Sequence, residues 1–183
     1  PKAQSKEMAF LSPIELRKVL DEIPEEWHCL LLTTSMTGMR IGEIMAMRWA
    51  NLYWENGKYN VRERLYEGVF DTPKTKTSRR AVDLTPTVLE ALRAHKAAQN
   101  EKRLLMGEDY KDADLIFCRD NGGPIVNVKA LRRVLGECLT KTECPQIRIH
   151  DLRHTHASLL IAQGESPKYI QQQLGHSSIQ ITF

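Results

Sequence analysis

This sequence predicts a mainly helical α+β fold with a small three-stranded antiparallel sheet in its middle. Three observations carry that expectation. Apolar residues recur at helical spacing on both sides of the middle, as in Leu16, Val19 and Leu20, or Val88, Leu89 and Leu92. Residues 52–84 instead hold short runs suited to strands, broken by Asn56-Gly57. Residues that start and stop helices frame the periodic segments.

Residues 1–9 are polar and read as a linker or arm, leaving 10–183 as one domain. Ser12-Pro13-Ile14-Glu15 is a helix start: Ser12 can cap, Pro13 suits the first helical position, and Glu15 closes a capping box. A second helix over 25–36 carries Leu30-Leu31-Leu32, a run that points to deep burial. Thr37-Gly38 ends it, and a third helix is expected from Arg40 to Arg48. Arg40 then stands at a helix N-terminus, where backbone N–H groups face outward. Strands over 52–55 and 58–65 would flank Asn56-Gly57, a pair suited to a two-residue hairpin turn. A third strand over 80–84 follows the loop 73–79.

Thr85-Pro86 restarts helix to about Gln99, and the polar stretch 100–114 reads as loop with a loose helix end. Leu115-Ile116-Phe117 suits a short strand, Asn121-Gly122-Gly123-Pro124 a turn, and 128–140 a helix. Two helices follow: 151–163, stopped by Gly164, and one capped by Ser166-Pro167 that runs to Leu174 and ends at Gly175.

With 42% hydrophobic and 27% charged residues, the 183-residue chain has the balance of a globular domain that can bury a core. No apolar run nears the ~18 residues of a membrane span, and no signal-peptide pattern is present. Cys29, Cys118, Cys138 and Cys144 are scattered without a C-x-x-C pair, which suits a reducing cytoplasm. The start at Pro1 is expected of a piece of a longer protein. Net formal charge is only +3, but it is unevenly spread. Lys74, Lys76, Arg79 and Arg80 form one basic stretch, and Lys129, Arg132, Arg133, Lys141, Arg148 and Arg153 a second. Either alone suits a solvated surface; together they point to a polyanionic partner.

His150 and Arg153, three apart on a helix, share a face. An imidazole and a guanidinium there can meet two oxygens of one phosphate, the arginine bidentately. His176 follows Leu174-Gly175 at a helix stop. Taken singly, each also fits a capping histidine, a surface arginine, or a histidine near a helix C-terminal dipole.

The flanking residues make the pattern specific. Thr37-Gly38-Met39-Arg40-Ile41-Gly42-Glu43, Pro73-Lys74-Thr75-Lys76, His150-Asp151-Leu152-Arg153-His154-Thr155 and Leu174-Gly175-His176-Ser177-Ser178 resemble, in order, the signature boxes of tyrosine recombinases, the phage integrase family. The resemblance implies a catalytic domain of mixed helical fold with a small sheet, acting on double-stranded DNA as a tetramer in the intact protein. It implies strand cleavage without metal or other cofactor, through a 3′-phosphotyrosyl intermediate. It makes Arg40 and Arg153 the phosphate-binding arginines, and gives His150 a part in binding phosphate and deprotonating the nucleophile. His176 would bond the scissile phosphate, and Lys74 would be the general acid, with Lys76 the alternative. Glu43 would orient an arginine. Apart from the resemblance, the basic residues Arg79, Arg80, Arg148 and Lys168 are expected to contact DNA.

The departure from the family is the nucleophile. The family's tyrosine lies farther beyond His176 than the seven residues up to Phe183, so none is assigned here and the fragment is expected not to cleave. Tyr169, inside a capped helix, reads as structural. Three rival readings remain. Residues 152–174 could form a helix-turn-helix presenting Lys168 and Gln171–Gln173 to bases. His150, His154 and His156 could hold a metal, though no H-E-x-x-H glutamate supports it. The same kind of site could serve type IB topoisomerase-like chemistry.

Overall fold

The computed structural model describes residues 9–72 and 79–175. Seven α-helices lie within them: α1 Pro13–Glu22, α2 Glu25–Thr37, α3 Ile41–Met45, α4 Pro86–Met106, α5 Lys129–Lys141, α6 Asp151–Ala162 and α7 Pro167–Leu174. Five short strands accompany them: β1 Leu52–Tyr53, β2 Lys58–Asn60, β3 Arg64–Tyr66, β4 Val69–Asp71 and β5 Ala81–Asp83. Strands β1, β2 and β5 form the expected three-stranded antiparallel sheet, in that order, with β5 at an edge.

The local helix signals work as the side chains dictate. The Ser12 hydroxyl accepts from the Glu15 N–H at 3.3 Å while Glu15 accepts from the Ser12 N–H at 2.7 Å, a reciprocal cap. Thr85 and Ser166 cap α4 and α7 through the N–H groups of Val88 and Tyr169. Helix α2 sits at the centre, packed against α6 and α4, and is buried nearly all round. Its polar residues survive burial because Thr33, Thr34, Ser35 and Thr37 each donate back to the carbonyl four residues earlier, at 2.6–2.8 Å. The core joins Leu11, Leu31, Ile44, Met47, Leu92 and Leu139, all at or below 1% exposure.

The middle departs from expectation in several ways. Asn56-Gly57 does not make a two-residue turn: Tyr53 pairs with Lys58, so the connection holds four residues, with Gly57 at φ 61°. The expected strand over 58–65 is divided. Its end, β3, pairs with β4 in a separate hairpin turned by Glu67 (φ 49°) and Gly68 (φ 80°). Two residues in the left-handed region match a type I′ turn, whose twist suits a tight hairpin. Helix α3 stops at Met45, before Arg48, whose backbone forms an isolated bridge with Leu115. Residues 115–117 therefore make no named strand.

Helix α4 runs seven residues past Gln99. Glu101, Lys102 and Arg103 are polar yet favourable helix formers, and the helix ends only at Gly107. Near the end of the described chain, α6 and α7 pack on each other, and α7 also lies against β5. That arrangement brings the segments after Met39, before Ala81 and after His150 to one place.

Candidate active site

Gly38 sets the first wall of the site. It ends α2 in the left-handed conformation, φ 62°, and a Cβ added there would stand 2.5 Å from Leu174 and 2.8 Å from His156. Only glycine satisfies both limits. The chain then turns so that Arg40 becomes the N-cap of α3 and Glu43 lies one turn on. Glu43 reaches back: Oε2 accepts from the Arg40 N–H at 3.0 Å, and Oε1 accepts from Arg40 Nη1 at 3.2 Å.

Arg80 arrives from the start of β5 and grips the same carboxylate, Nη1 to Oε1 at 3.1 Å and Nη2 to Oε2 at 3.0 Å. The two side chains are 7% and 5% exposed. Burial alone would raise the Glu43 carboxyl. The hydrogen bonds and charge of Arg80, then the backbone N–H and charge of Arg40, outweigh it and hold the group below its usual range. Arg80 thus does not stand on the open surface, as its place in a basic stretch suggested. Arg79, beside it, is exposed.

Arg153 enters from α6, 3% exposed, and donates from Nη1 to the Gly38 carbonyl at 2.7 Å. Burial first, then the charges of Arg40 and Arg80, press its pKa down to about 9. It still carries its charge at neutral pH. Arg40, by contrast, keeps 43% of its side chain open, so the cluster joins one solvent-facing guanidinium to two buried ones around Glu43.

His150 is exposed at the N-cap of α6, its ring edge-on to His154 at 5.6 Å. Partial burial, then the charges of His154 and Arg153, lower its pKa. His156 lies on the inner side, 7% exposed, and burial followed by Arg153 pushes it down to about 4. The rings at 150 and 156 therefore do not converge. Among the described residues no group of three or more His, Cys, Asp or Glu is placed to hold a metal ion.

Arg148 lies outside the cluster. Its guanidinium takes both oxygens of Asp151, at 3.0 and 2.9 Å, while Asp151 Oδ2 also accepts from the Arg148 N–H at 2.8 Å. The pair is a local contact between the chain just before α6 and its first residue. Lys168, in the first turn of α7, is exposed and away from these pairs. Lys74, Lys76 and His176 lie outside the described residues.

Two residues singled out earlier acquire definite surroundings. The Tyr169 hydroxyl is engaged with Asp83, and burial followed by that carboxylate raises its pKa to about 12, a poor state for a nucleophile. Gln173, 4% exposed, turns inward onto the backbone of Asp83. Of the residues that a helix-turn-helix would present to bases, Gln173 is turned away from solvent, while Lys168 and Gln172 are exposed. Sequence reasoning offered Gln173 only as a base contact of a helix-turn-helix and missed its place on the edge of β5.

Comparison with known proteins bears on this geometry. A family model described as the phage integrase family matches residues 10–183. The ICEBs1 integrase of Bacillus subtilis (strain 168) is 30% identical, across 97% of this chain and 50% of that protein. A tyrosine recombinase XerC-like protein of Caldanaerobacter subterraneus subsp. tengcongensis is 26% identical, across 96% and 49%. Among solved structures, the Tn1549 transposon integrase in complex with transposon right end DNA aligns with a TM-score of 0.85 at 22% identity, covering 100% of this chain and 62% of that one. The catalytic domain of bacteriophage HP1 integrase aligns with a TM-score of 0.61 at 18% identity, covering 96% and 85%. The chain spans about half the length of these curated relatives.

Proposed function

This chain belongs to the phage integrase family, and we propose that it is the catalytic domain of a site-specific recombinase acting on double-stranded DNA. The observation that carries the proposal is a cluster in which Arg40 and Arg80 share the Glu43 carboxylate, while Arg153, near enough to feel all three charges, reaches the Gly38 carbonyl. A cluster of cations with a net positive charge, one guanidinium open to solvent and two buried, is suited to a phosphate whose charge grows in the transition state.

In the proposed reaction a tyrosine oxygen attacks the backbone phosphorus and the bond to the 5′-oxygen breaks. His150 accepts the tyrosine proton, and Lys74, or Lys76 in its place, gives one to the leaving 5′-oxygen. Arg40, Arg153 and His176 hold the phosphate oxygens as charge develops. A 5′-hydroxyl then attacks the phosphotyrosyl link and rejoins the strands. No metal or other cofactor takes part. We assign no nucleophile among Tyr53, Tyr59, Tyr66, Tyr110 and Tyr169. Residues 1–183 alone would then bind and polarise a phosphate without forming the covalent link. Arg79, Arg148 and Lys168 are the proposed DNA-backbone contacts. The intact protein would work in the cytoplasm as a tetramer on DNA; among the described residues no helix is long and apolar enough to cross a membrane.

The test uses the full-length protein and a nicked duplex carrying the attachment sequence of its own element. The expected result is a covalent protein–DNA adduct that forms in EDTA and is lost on Arg153→Ala. Tight binding without adduct would favour a pure DNA-binding module, and adduct formation abolished by EDTA would sink the metal-free route. Arg79→Ala should flatten the dependence of log K on log salt, by about one contact's worth of slope.

A further inference from the structure

The geometry points to Gln173 and Arg80 as positioning residues that set the direction of Arg40, an inference resting on the reading of Arg40 as a phosphate-binding arginine. Gln173 behaves as a one-residue strand. On the open edge of β5 its amide oxygen accepts from the Asp83 N–H at 3.0 Å, and its amide nitrogen donates to the Asp83 carbonyl at 2.9 Å. Three residues earlier in β5's chain, Arg80 Nε donates to the Gln173 carbonyl at 2.9 Å. The last turn of α7 is therefore held at two points, each with defined direction.

Both attachments lead to Arg40. Arg40 Nη2 meets the carbonyl of Gly175, two residues after Gln173, at 3.5 Å. Its Nη1 meets Glu43, and Glu43 is held in turn by both terminal nitrogens of Arg80. The bonds form a closed circuit from β5 through Gln173 and Gly175 to Arg40, and back through Glu43 and Arg80. Gly175 is part of the fit: at φ 68° it lies flat on Arg80, and a Cβ there would stand 2.7 Å from Arg80 Nη1.

This circuit does something packing would not. With 43% of its side chain exposed, Arg40 is aimed by hydrogen bonds at its two ends more than by contact with its stem. Docking α7 on the sheet could be achieved by apolar contact, and a buried ion pair gains little over such packing. Fixing the plane of a guanidinium needs directional partners, and a misplacement of about 1 Å at a reacting centre costs about 10²-fold in rate.

Single-turnover adduct formation on the nicked duplex, measured beside the Kd for the same duplex, tests this in the full-length protein. Gln173→Ala and Arg80→Lys should each slow adduct formation about 10²-fold with Kd unchanged. Because both act through Arg40, Arg40→Lys combined with Gln173→Ala should be no slower than Arg40→Lys alone. Losses that multiply in the double variant, or wild-type rates for both single variants, would overturn the inference and leave the reading of Arg40 standing. Arg40→Lys cleaving as fast as wild type, or no adduct from the wild-type protein, would overturn both. If Gln173→Ala fails to fold, Arg80→Lys paired with Arg40→Lys carries the same comparison.

Discussion

Arg80 and Arg148 each grip both oxygens of a carboxylate, yet one pair is sealed and the other open. Arg80 and Glu43 are 7% and 5% exposed, whereas the Arg148 side chain is 80% exposed over an Asp151 at 8%. The partners of the first pair are 37 residues apart, and those of the second only three. The open pair is a local contact at the start of α6. The sealed one ties β5 to α3 inside a group of cations, so its loss is felt by Arg40 and Arg153 as well. Geometry alone does not rank two ion pairs; the water each has lost does.

Breaking the sealed pair from one side should have the largest effect. Glu43→Gln leaves Arg40 and Arg80 without their shared anion, and a loss of about 3–5 kcal/mol in urea unfolding is expected. A stability equal to wild type would mean that the cluster stays hydrated. Acid probes the same side of the molecule. His156 is neutral when folded, with a pKa near 4, while the unfolded chain takes up a proton below about 6.5. Stability should therefore be complete above pH 6.5 and fall as the pH drops toward 4, by on the order of 3 kcal/mol. His156→Leu should flatten that decline; an unchanged pH profile would point to other groups. Glu43, held low, adds a further loss only below its ordinary range, near pH 4.

Gly38→Ala tests the wall that carries the Arg153 acceptor. Left-handed strain and overlap with Leu174 and His156 should together cost about 2 kcal/mol of unfolding free energy, read from urea titration. Arg148→Ala should show the smallest effect, a urea midpoint close to wild type. A loss comparable to that of Glu43→Gln would erase the distinction between the two pairs.

The parts of the fold legible in advance are those whose cause lies within a turn of helix. Ser12 with Glu15, Thr85-Pro86, Ser166-Pro167, Gly38, Gly164 and Gly175 mark helix ends because a cap or a left-handed residue acts on its own neighbours. Where the cause was distant, expectation failed. The length of the Asn56-Gly57 connection depends on how β2 pairs with β5. Arg48 left the expected third helix because its backbone bridges to Leu115, 67 residues away in the chain. The end of α4 was underestimated because polar helix formers resemble loop in composition. The second hairpin does carry a local signal, Glu67-Gly68 between Arg64-Leu65-Tyr66 and Val69-Phe70-Asp71.

The site divides in the same way. Which residue types are present, and in what order, is a property of the sequence, and so is the family to which the chain belongs. Helix caps and the placing of Arg40, His150 and Arg153 at helix starts also follow from local chemistry. Tertiary structure alone decided that Arg80 turns inward to Glu43 and that Gln173 completes the edge of β5. The physical reason is desolvation. Whether a charged side chain is a surface contact or a buried strut depends on which distant elements exclude water from it, and no run of neighbouring residues encodes that by itself.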